Sequence, residues 1–464
     1  MDPGEFAVEH LPRFRRELTD LLRIPSVSAK SEHAHDMRRA ADWMAARMRA
    51  TGLTAEIMPT PGHPVVLGSW REAGEGAPSV LIYGHYDVQP PEPLELWDSP
   101  PFDPTERDGR IYARGAADDK GQLFMHLAAL EAHLHTRGEL PFNVTVLAEG
   151  EEEVGSANLA PFVREHAERL ACDCVIISDS NMFAEGLPSI LFSLRGLAYF
   201  EIEVSGARSD LHSGQFGGTV ANPANELARL IATLHDADGR VAVPGFYDDV
   251  IEWDDETLAR VRSLPFDPEK FRSELEVPAL AGEEGWSTLE RLWLRPSCDV
   301  NGLLGGYTGE GAKTVLPNHA MAKVSFRLVP DQSPERVGEL LRIHIDRVKA
   351  PGVAVEVREL HGGRPWRANL DPGLVQIASD ALETAFGVRP VLQGEGGSIP
   401  IVTDFEELLG ASALLLGFGL PGCNLHAPNE WFGINEFEKG IQALVEFYSS
   451  VGSSSGRASR AQEL

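Results

Sequence analysis

Three short apolar segments each run straight into residues that carry chemistry, and this constrains the fold more than any other feature of the 464-residue chain. Ser79–Tyr83 (SVLIY) leads into Gly84, His85, Tyr86 and Asp87. Phe142–Leu147 (FNVTVL) leads into Glu149, Glu151, Glu152 and Glu153, and Cys174–Ile177 (CVII) leads into Asp179. A further short run, Pro64–Leu67, is also β-rich. Between and before these runs, residues 6–23, 37–51 and Asp118–His135 place apolar side chains at helical spacing. Strands alternating with helices predict an α/β domain with a mostly parallel central sheet. Acids at the ends of its strands would emerge at the rim of the sheet, where such folds keep their sites.

From about Arg195 the texture changes. Ala198–Val204 (AYFEIEV) and Ala322–Leu328 (AKVSFRL) alternate apolar and polar residues, and each precedes a helical pattern. That predicts an antiparallel sheet with helices on one side, an α+β unit. After about Gly363 the α/β texture returns, with a helix over 371–386, a strand at Ala413–Leu416 and a helix over 434–448. The economical division is a catalytic domain at 1–196 and 363–451, an inserted domain at 197–362, and a Ser/Gly/Arg-rich mobile tail at 452–464.

Charge excludes some partners. Lys plus Arg number 41 against 70 Asp plus Glu, a formal charge of −29 that repels nucleic acid and anionic membrane surfaces. No run approaches the roughly 18 apolar residues of a membrane helix. The opening MDPGEFAVEHLPRFRREL shows no apolar signal region, so the expected compartment is the cytoplasm. Four cysteines (Cys172, Cys174, Cys298, Cys423) are too few for a disulfide framework, and the Cys172–Cys174 pair, with no second pair to complete a zinc knot, reads as buried thiols.

Each chemical motif has a bland reading alone. A His-x-Asp pair such as His85 and Asp87 faces one way in an extended chain, and a metal-bound imidazole gives its second N–H to such a carboxylate. In Ala113–Gly121 (ARGAADDKG), Asp118 and Asp119 stand at a helix start, where capping also favours acids. Capping leaves the surrounding glycines unexplained, since these allow close backbone approach. Gly422–Glu430 (GCNLHAPNE) adds His426 on a loop. Together, two histidines and three carboxylates form an N/O ligand set suited to Zn²⁺ or Mn²⁺. The surplus carboxylate suggests two ions sharing a bridge, about 3.5–4 Å apart, clamping a water that becomes hydroxide near neutral pH. A leftover glutamate beside a ligand glutamate is the natural general base.

The motifs GHYDVQPPEP, WDSPPFDPTERDGRIYARGAADDKG, EGEEEVGS, ISDS, SDLHSGQFGG, GAKTVLPNH, FRLVP, HGGRPW, EGGSIP and NLHAPNE span nearly the whole chain. In this order they resemble the M20 metallopeptidase family, within it the branch of cytosolic non-specific dipeptidases and carnosinases. The resemblance implies a zinc-peptidase-like catalytic domain carrying an inserted lid and dimerisation domain, and hence a homodimer. It implies that His85 and Asp179 hold one ion, Glu153 and His426 the other, and that Asp118 bridges them. Asp87 would orient His85, Glu152 would be the general base, and a cis peptide would join Asp118 to Asp119. His212 would stabilise the oxyanion across the dimer, with Thr314 also supplied by the other subunit. Arg327 would bind the substrate carboxylate, with Ser398 and Gly397 of the Gly-rich segment and His361 lining the pocket.

Two departures carry expectations of their own. Glu151, turned inward, would raise the proton affinity of Glu152 by like-charge repulsion. Cys423, close before His426, would make the enzyme thiol-sensitive. The implied activity is two-metal hydrolysis of dipeptides with a free C-terminal carboxylate. An N-acyl-amino-acid deacylase or desuccinylase is the alternative within the family. A non-catalytic binding protein predicts loss of the base or a ligand, and all are present. A two-metal phosphatase or nuclease would need cationic help that the charge of −29 argues against.

Overall fold

A computed structural model describes residues 1–461 apart from Glu75 and Leu370, with side chains to Val451. The described chain divides into two compact units: Met1–Phe192 with Ala368–Gln393 and from Ile401 onward, and Ser193–Arg367 with Gly394–Pro400. The tail expected at 452–464 falls on residues with undescribed side chains and, from 462, lies outside the described residues. The backbone as far as Ala461 continues the helix that begins at Ile434.

The first unit is built on a six-stranded sheet in the spatial order Thr54–Met58, Val65–Trp70, Asn143–Glu149, Ser79–His85, Cys174–Ile177, Ser412–Leu415. The last four strands run parallel and Val65–Trp70 is antiparallel to both its neighbours, so the expected mostly parallel α/β sheet is present. Both faces of the inner strands are covered, which is why Ser79–His85, Asn143–Glu149 and Cys174–Ile177 are buried at nearly every position, whereas the edge strand Thr54–Met58 is not. Val80, Ile82, Val144 and Val146 join the core beneath helices Pro3–Leu22, Ala34–Thr51 and Lys120–Arg137. Tyr83, one residue out of phase, meets Phe405 of helix Ile401–Leu409 edge-on.

The helices begin and end where local chemistry dictates. Asp2 and Glu5 form a reciprocal capping box at Pro3–Leu22, and Ala34–Thr51 stops at Gly52, which takes φ +105°. Helix Lys120–Arg137 is buried along Lys120–His133 because neighbours surround it on every side.

The second unit carries a four-stranded antiparallel sheet, in the order Ser297–Gly305, His319–Leu328, Gly196–Ser205, Ala354–Gly363. Its alternation is clean. Ala198, Phe200, Ile202 and Val204, with Ala322, Val324 and Phe326, face a core completed by helices Pro223–Ala232 and Pro334–Val348. This is the expected α+β arrangement, with helices on one face only.

Candidate metal centre

Parallel register levels the strand ends that matter. His85, the last residue of its strand, pairs in register with Glu149, and Tyr83 pairs with Ile177, two residues before Asp179. All these residues therefore reach the carboxyl-end rim of one sheet. Gly84 has to be small, because a Cβ there would lie 2.6 Å from Asp119 Oδ2 and 3.0 Å from Leu123 Cδ1.

Two groups of ligand-type atoms form at that rim, each with its atoms within 4.8 Å of one another: His85, Asp118 and Asp179, and Asp118, Glu153 and His426. Asp118 belongs to both. His85 Nε2 lies 3.0 Å from Asp118 Oδ1 and 3.9 Å from Asp179 Oδ2. His426 Nε2 lies 2.9 Å from Asp118 Oδ2 and 3.2 Å from Glu153 Oε2. The helix-capping reading of this acid pair fails, since Asp119, at the cap position, makes no side-chain cap bond. The peptide between Asp118 and Asp119 is cis.

The electrostatics describe a site short of positive charge. Burial, then repulsion from Asp118, pushes Asp179 up to about 7. Burial also raises Glu153, and it raises Glu152 well above the carboxylate range with help from Asp179, Asp118 and Glu153. Hydrogen bonds to Asp118 and Glu153 push His426 up to about 10. Asp118 alone stays low: burial opposes its charge, but His426 and His85 outweigh it. No lysine or arginine bonds to these five side chains among the described residues. Two imidazoles and two carboxylates whose proton affinity is raised, around an Asp118 that stays charged, fit divalent cations, which displace such protons on binding.

Supporting contacts surround the groups. His85 Nδ1 is 3.1 Å from the backbone carbonyl of Asp87 and 3.4 Å from its carboxylate. The same carboxylate accepts the backbone N–H groups of Glu152 (3.3 Å) and Glu153 (3.2 Å), so Asp87 holds the glutamate turn as well as the imidazole. Gln89 was not among the expected residues, yet its side chain and backbone N–H both donate to Glu153, at 2.8 and 3.1 Å.

Two expectations are corrected. Glu151 accepts from Asn158 at 2.8 Å instead, and the largest charge effects that raise Glu152 come from Asp179, Asp118 and Glu153. Cys423 is buried with its thiol pushed up to about 12 by desolvation, which makes it a poor nucleophile rather than a thiol-sensitive point.

The other expected residues belong to the second unit. His212 and Thr314 lie at a two-stranded ribbon, Leu211–His212 with Val315–Leu316, where Ser213 N donates to Thr314 O at 3.0 Å. His212 Nδ1 accepts from Gly214 N at 3.0 Å, which leaves a neutral ring carrying its proton on Nε2. Arg327 is half-buried on the sheet; its guanidinium has no hydrogen-bond or ion-pair partner among the described residues, though the Asp299 carboxylate acts on it at longer range. His361 packs edge-on against Tyr199 at 5.0 Å. Gly397 N points to Glu395 Oε1 at 3.4 Å, and Ser398 follows it in the same segment.

The model of peptidase family M20/M25/M40 matches residues 81–450. The chain belongs to this family. It is a metallopeptidase, a hydrolase of peptide bonds. It is 32% identical over 456 residues to the Cys-Gly metallodipeptidase dug1 of Schizosaccharomyces pombe, covering 95% of this chain and 96% of that one. It is 31% identical to the human Beta-Ala-His dipeptidase over 450 residues, 95% of this chain and 86% of the relative. Among solved structures, the M20 family metallo-carboxypeptidase Sso-CP2 from Sulfolobus solfataricus superposes with a TM-score of 0.86 at 35% identity, covering 95% of this chain and 99% of that one. Human carnosine dipeptidase 1 superposes with a TM-score of 0.83 at 28% identity, covering 97% and 98%. No helix of this M20 peptidase, among the described residues, is long and apolar enough to cross a membrane.

Proposed function

We propose that the chain is a dipeptidase that hydrolyses the amide bond of dipeptides with a free C-terminal carboxylate, using two divalent ions, Zn²⁺ or Mn²⁺. The observation that carries this reading is the pair of ligand groups sharing Asp118. His85 and Asp179 would hold one ion, Glu153 and His426 the other, and Asp118 both. When bound, such a pair supplies a Lewis acid for the scissile carbonyl and lowers the pKa of a water. Glu152 takes a proton from the attacking water and passes it to the leaving amine, a role suited to a carboxyl whose proton affinity is raised by burial.

Substrate binding falls to the second unit. Arg327, whose guanidinium has no hydrogen-bond or ion-pair partner among the described residues, offers its fork to the terminal carboxylate. Ser398, Gly397 and His361 line the pocket. His212, with Nε2–H free to donate, stabilises the oxyanion, and Thr314 accompanies it. Both act on the active site of a second subunit in a homodimer. Support for that dimer comes from strand Ser297–Gly305, which among the described residues is bonded on one side only, with Leu303 (65%) and Leu304 (55%) exposed. A catalytic domain at 1–196 and 363–451, apart from Gly394–Pro400, which groups with the second unit, a lid and dimerisation domain at 197–362 and a cytoplasmic location complete the reading.

A second reading, removal of C-terminal residues from longer peptides, is favoured by the likeness to a metallo-carboxypeptidase. A panel separates these readings: dipeptides, tripeptides, and N-acetyl and N-succinyl amino acids, with chelator-stripped enzyme and Zn²⁺ or Mn²⁺ restored. Cleavage confined to free-amine dipeptides is expected. Preference for tripeptides would make the enzyme a carboxypeptidase, and preference for acylated substrates a deacylase.

A further inference from the structure

We infer that Glu430 is a positioning residue for the metal centre, the group that locks the segment bearing Asp118 to the loop bearing His426. The inference rests on the proposal that Asp118 bridges two ions.

The fold brings the two segments together by one short ladder. Strand Trp431–Gly433 pairs with Arg110–Tyr112, and Ala113 N extends the pairing to Glu430 O at 3.1 Å. The chain from Ala113 to Asp118 then winds around the Glu430 side chain, which is fully buried (0% exposed). One carboxylate oxygen accepts from Arg114 Nη1 at 2.7 Å and Gly115 N at 2.9 Å. The other accepts from Ala117 N at 3.0 Å and Asp118 N at 3.2 Å. Four donors on one carboxylate, three of them backbone, fix the position of the Asp118 backbone from which both ligand groups are built. Gly115 makes the turn possible, at φ +83°, where a Cβ would also lie 2.6 Å from Val88 Cγ1.

On the other side of Glu430 stands a loop that needs holding. Asn424, His426 and Asn429 all take left-handed backbone conformations, φ 58°, 59° and 60°; asparagine tolerates this region, and at His426 it costs backbone energy that the surroundings must offset. Trp431 N bonds back to Cys423 O at 3.0 Å, so the loop closes on the residue that follows Glu430. His426 thus meets Asp118 from a loop whose end is tied, through one side chain, to the backbone of Asp118. An aspartate at 430 would fall one methylene short of this reach. A glutamine would keep the size, but its amide nitrogen would meet N–H donors it cannot accept from.

Competition with a chromophoric chelator for Zn²⁺ tests this on the full chain. The chains compared are wild type, Glu430→Gln, Asp118→Asn and Glu290→Gln, with the zinc-free unfolding midpoint of each recorded. Glu290 is the matched control: it is buried and paired to Arg262 at 2.7 Å, but it belongs to the second unit. Wild type should take two ions, and Glu430→Gln should lose about 10- to 100-fold in Zn²⁺ affinity. Glu290→Gln should bind as wild type does. Wild-type affinity in Glu430→Gln, or an equal loss in Glu290→Gln, overturns the positioning role. Fewer than two ions on wild type, or unchanged binding by Asp118→Asn, overturns the bridging proposal itself and the inference with it. If Glu430→Gln does not fold, Glu430→Asp serves instead, with the same loss expected and unchanged affinity again decisive against.

Discussion

Acid should destabilise this protein through one buried histidine. His126, on helix Lys120–Arg137, is fully buried between the hydroxyls of Tyr448 and Ser178, at 2.6 and 2.8 Å. A neutral ring satisfies both, because each hydroxyl can donate or accept. A protonated ring would find no carboxylate beside it, and desolvation alone holds its pKa down to about 3. In the unfolded chain a histidine titrates near 6.5, so below that pH the unfolded state binds a proton that the folded state refuses. The stabilisation is therefore complete above about pH 6.5 and is lost progressively towards pH 3. At about 1.4 kcal/mol per pH unit, the loss from this ring is roughly 2 kcal/mol at pH 5 and about 3 kcal/mol at pH 4. His126→Gln keeps an amide able to meet both hydroxyls and removes the titration. Urea unfolding of chelator-stripped wild type and variant at pH 7.5 and pH 5 should show the variant losing about 2 kcal/mol less between the two. Equal losses would refute the reasoning.

Three other outcomes follow from the proposed chemistry. Glu152→Gln should retain both ions by metal analysis while turnover falls by about 10²–10⁴-fold, and near-normal rates would remove the general base. Arg327→Lys keeps the charge but loses the fork. KM for dipeptides should rise by about 10- to 100-fold with little change in kcat, whereas dipeptide amides should show no difference. His212→Ala should lower kcat without lowering metal content. Mixing it with Glu152→Gln should restore part of the activity, and verified mixed dimers without recovery would exclude action in trans.

Periodicity made the architecture legible. Strand Ser79–His85 was foreseen to within two residues because it is apolar throughout, and Gly196–Ser205 because it alternates. Strands Thr54–Met58 and Ser297–Gly305 went unseen. The first has only one buried residue, and the second (SCDVNGLLG) is exposed over most of its length and interrupted by a register shift between Val300 and Gly302.

Strand ends leading to His85 and Asp179 are legible only together: each has a bland reading alone, but several apolar runs ending in an acid or histidine point to one sheet rim. Residues that support the proposed ligands are not. Gln89 and Glu430 have ordinary local surroundings, and Glu430 meets Gly115 only across more than 300 residues of chain. Side-chain direction was equally hidden. Four glutamates in five residues read as one acidic cluster, yet Glu151 turns to Asn158, Glu149 is held by Tyr83 and Ser156, and Glu153 faces His426.

The central claim is that two ions share Asp118, and titrating metal into the chelator-stripped enzyme tests it most directly. Dipeptide hydrolysis followed against added Zn²⁺ or Mn²⁺ should rise to a plateau at two ions per chain, and Asp118→Asn should reach no plateau. Full activity at one ion per chain, or an Asp118→Asn enzyme that titrates like wild type, would contradict the account.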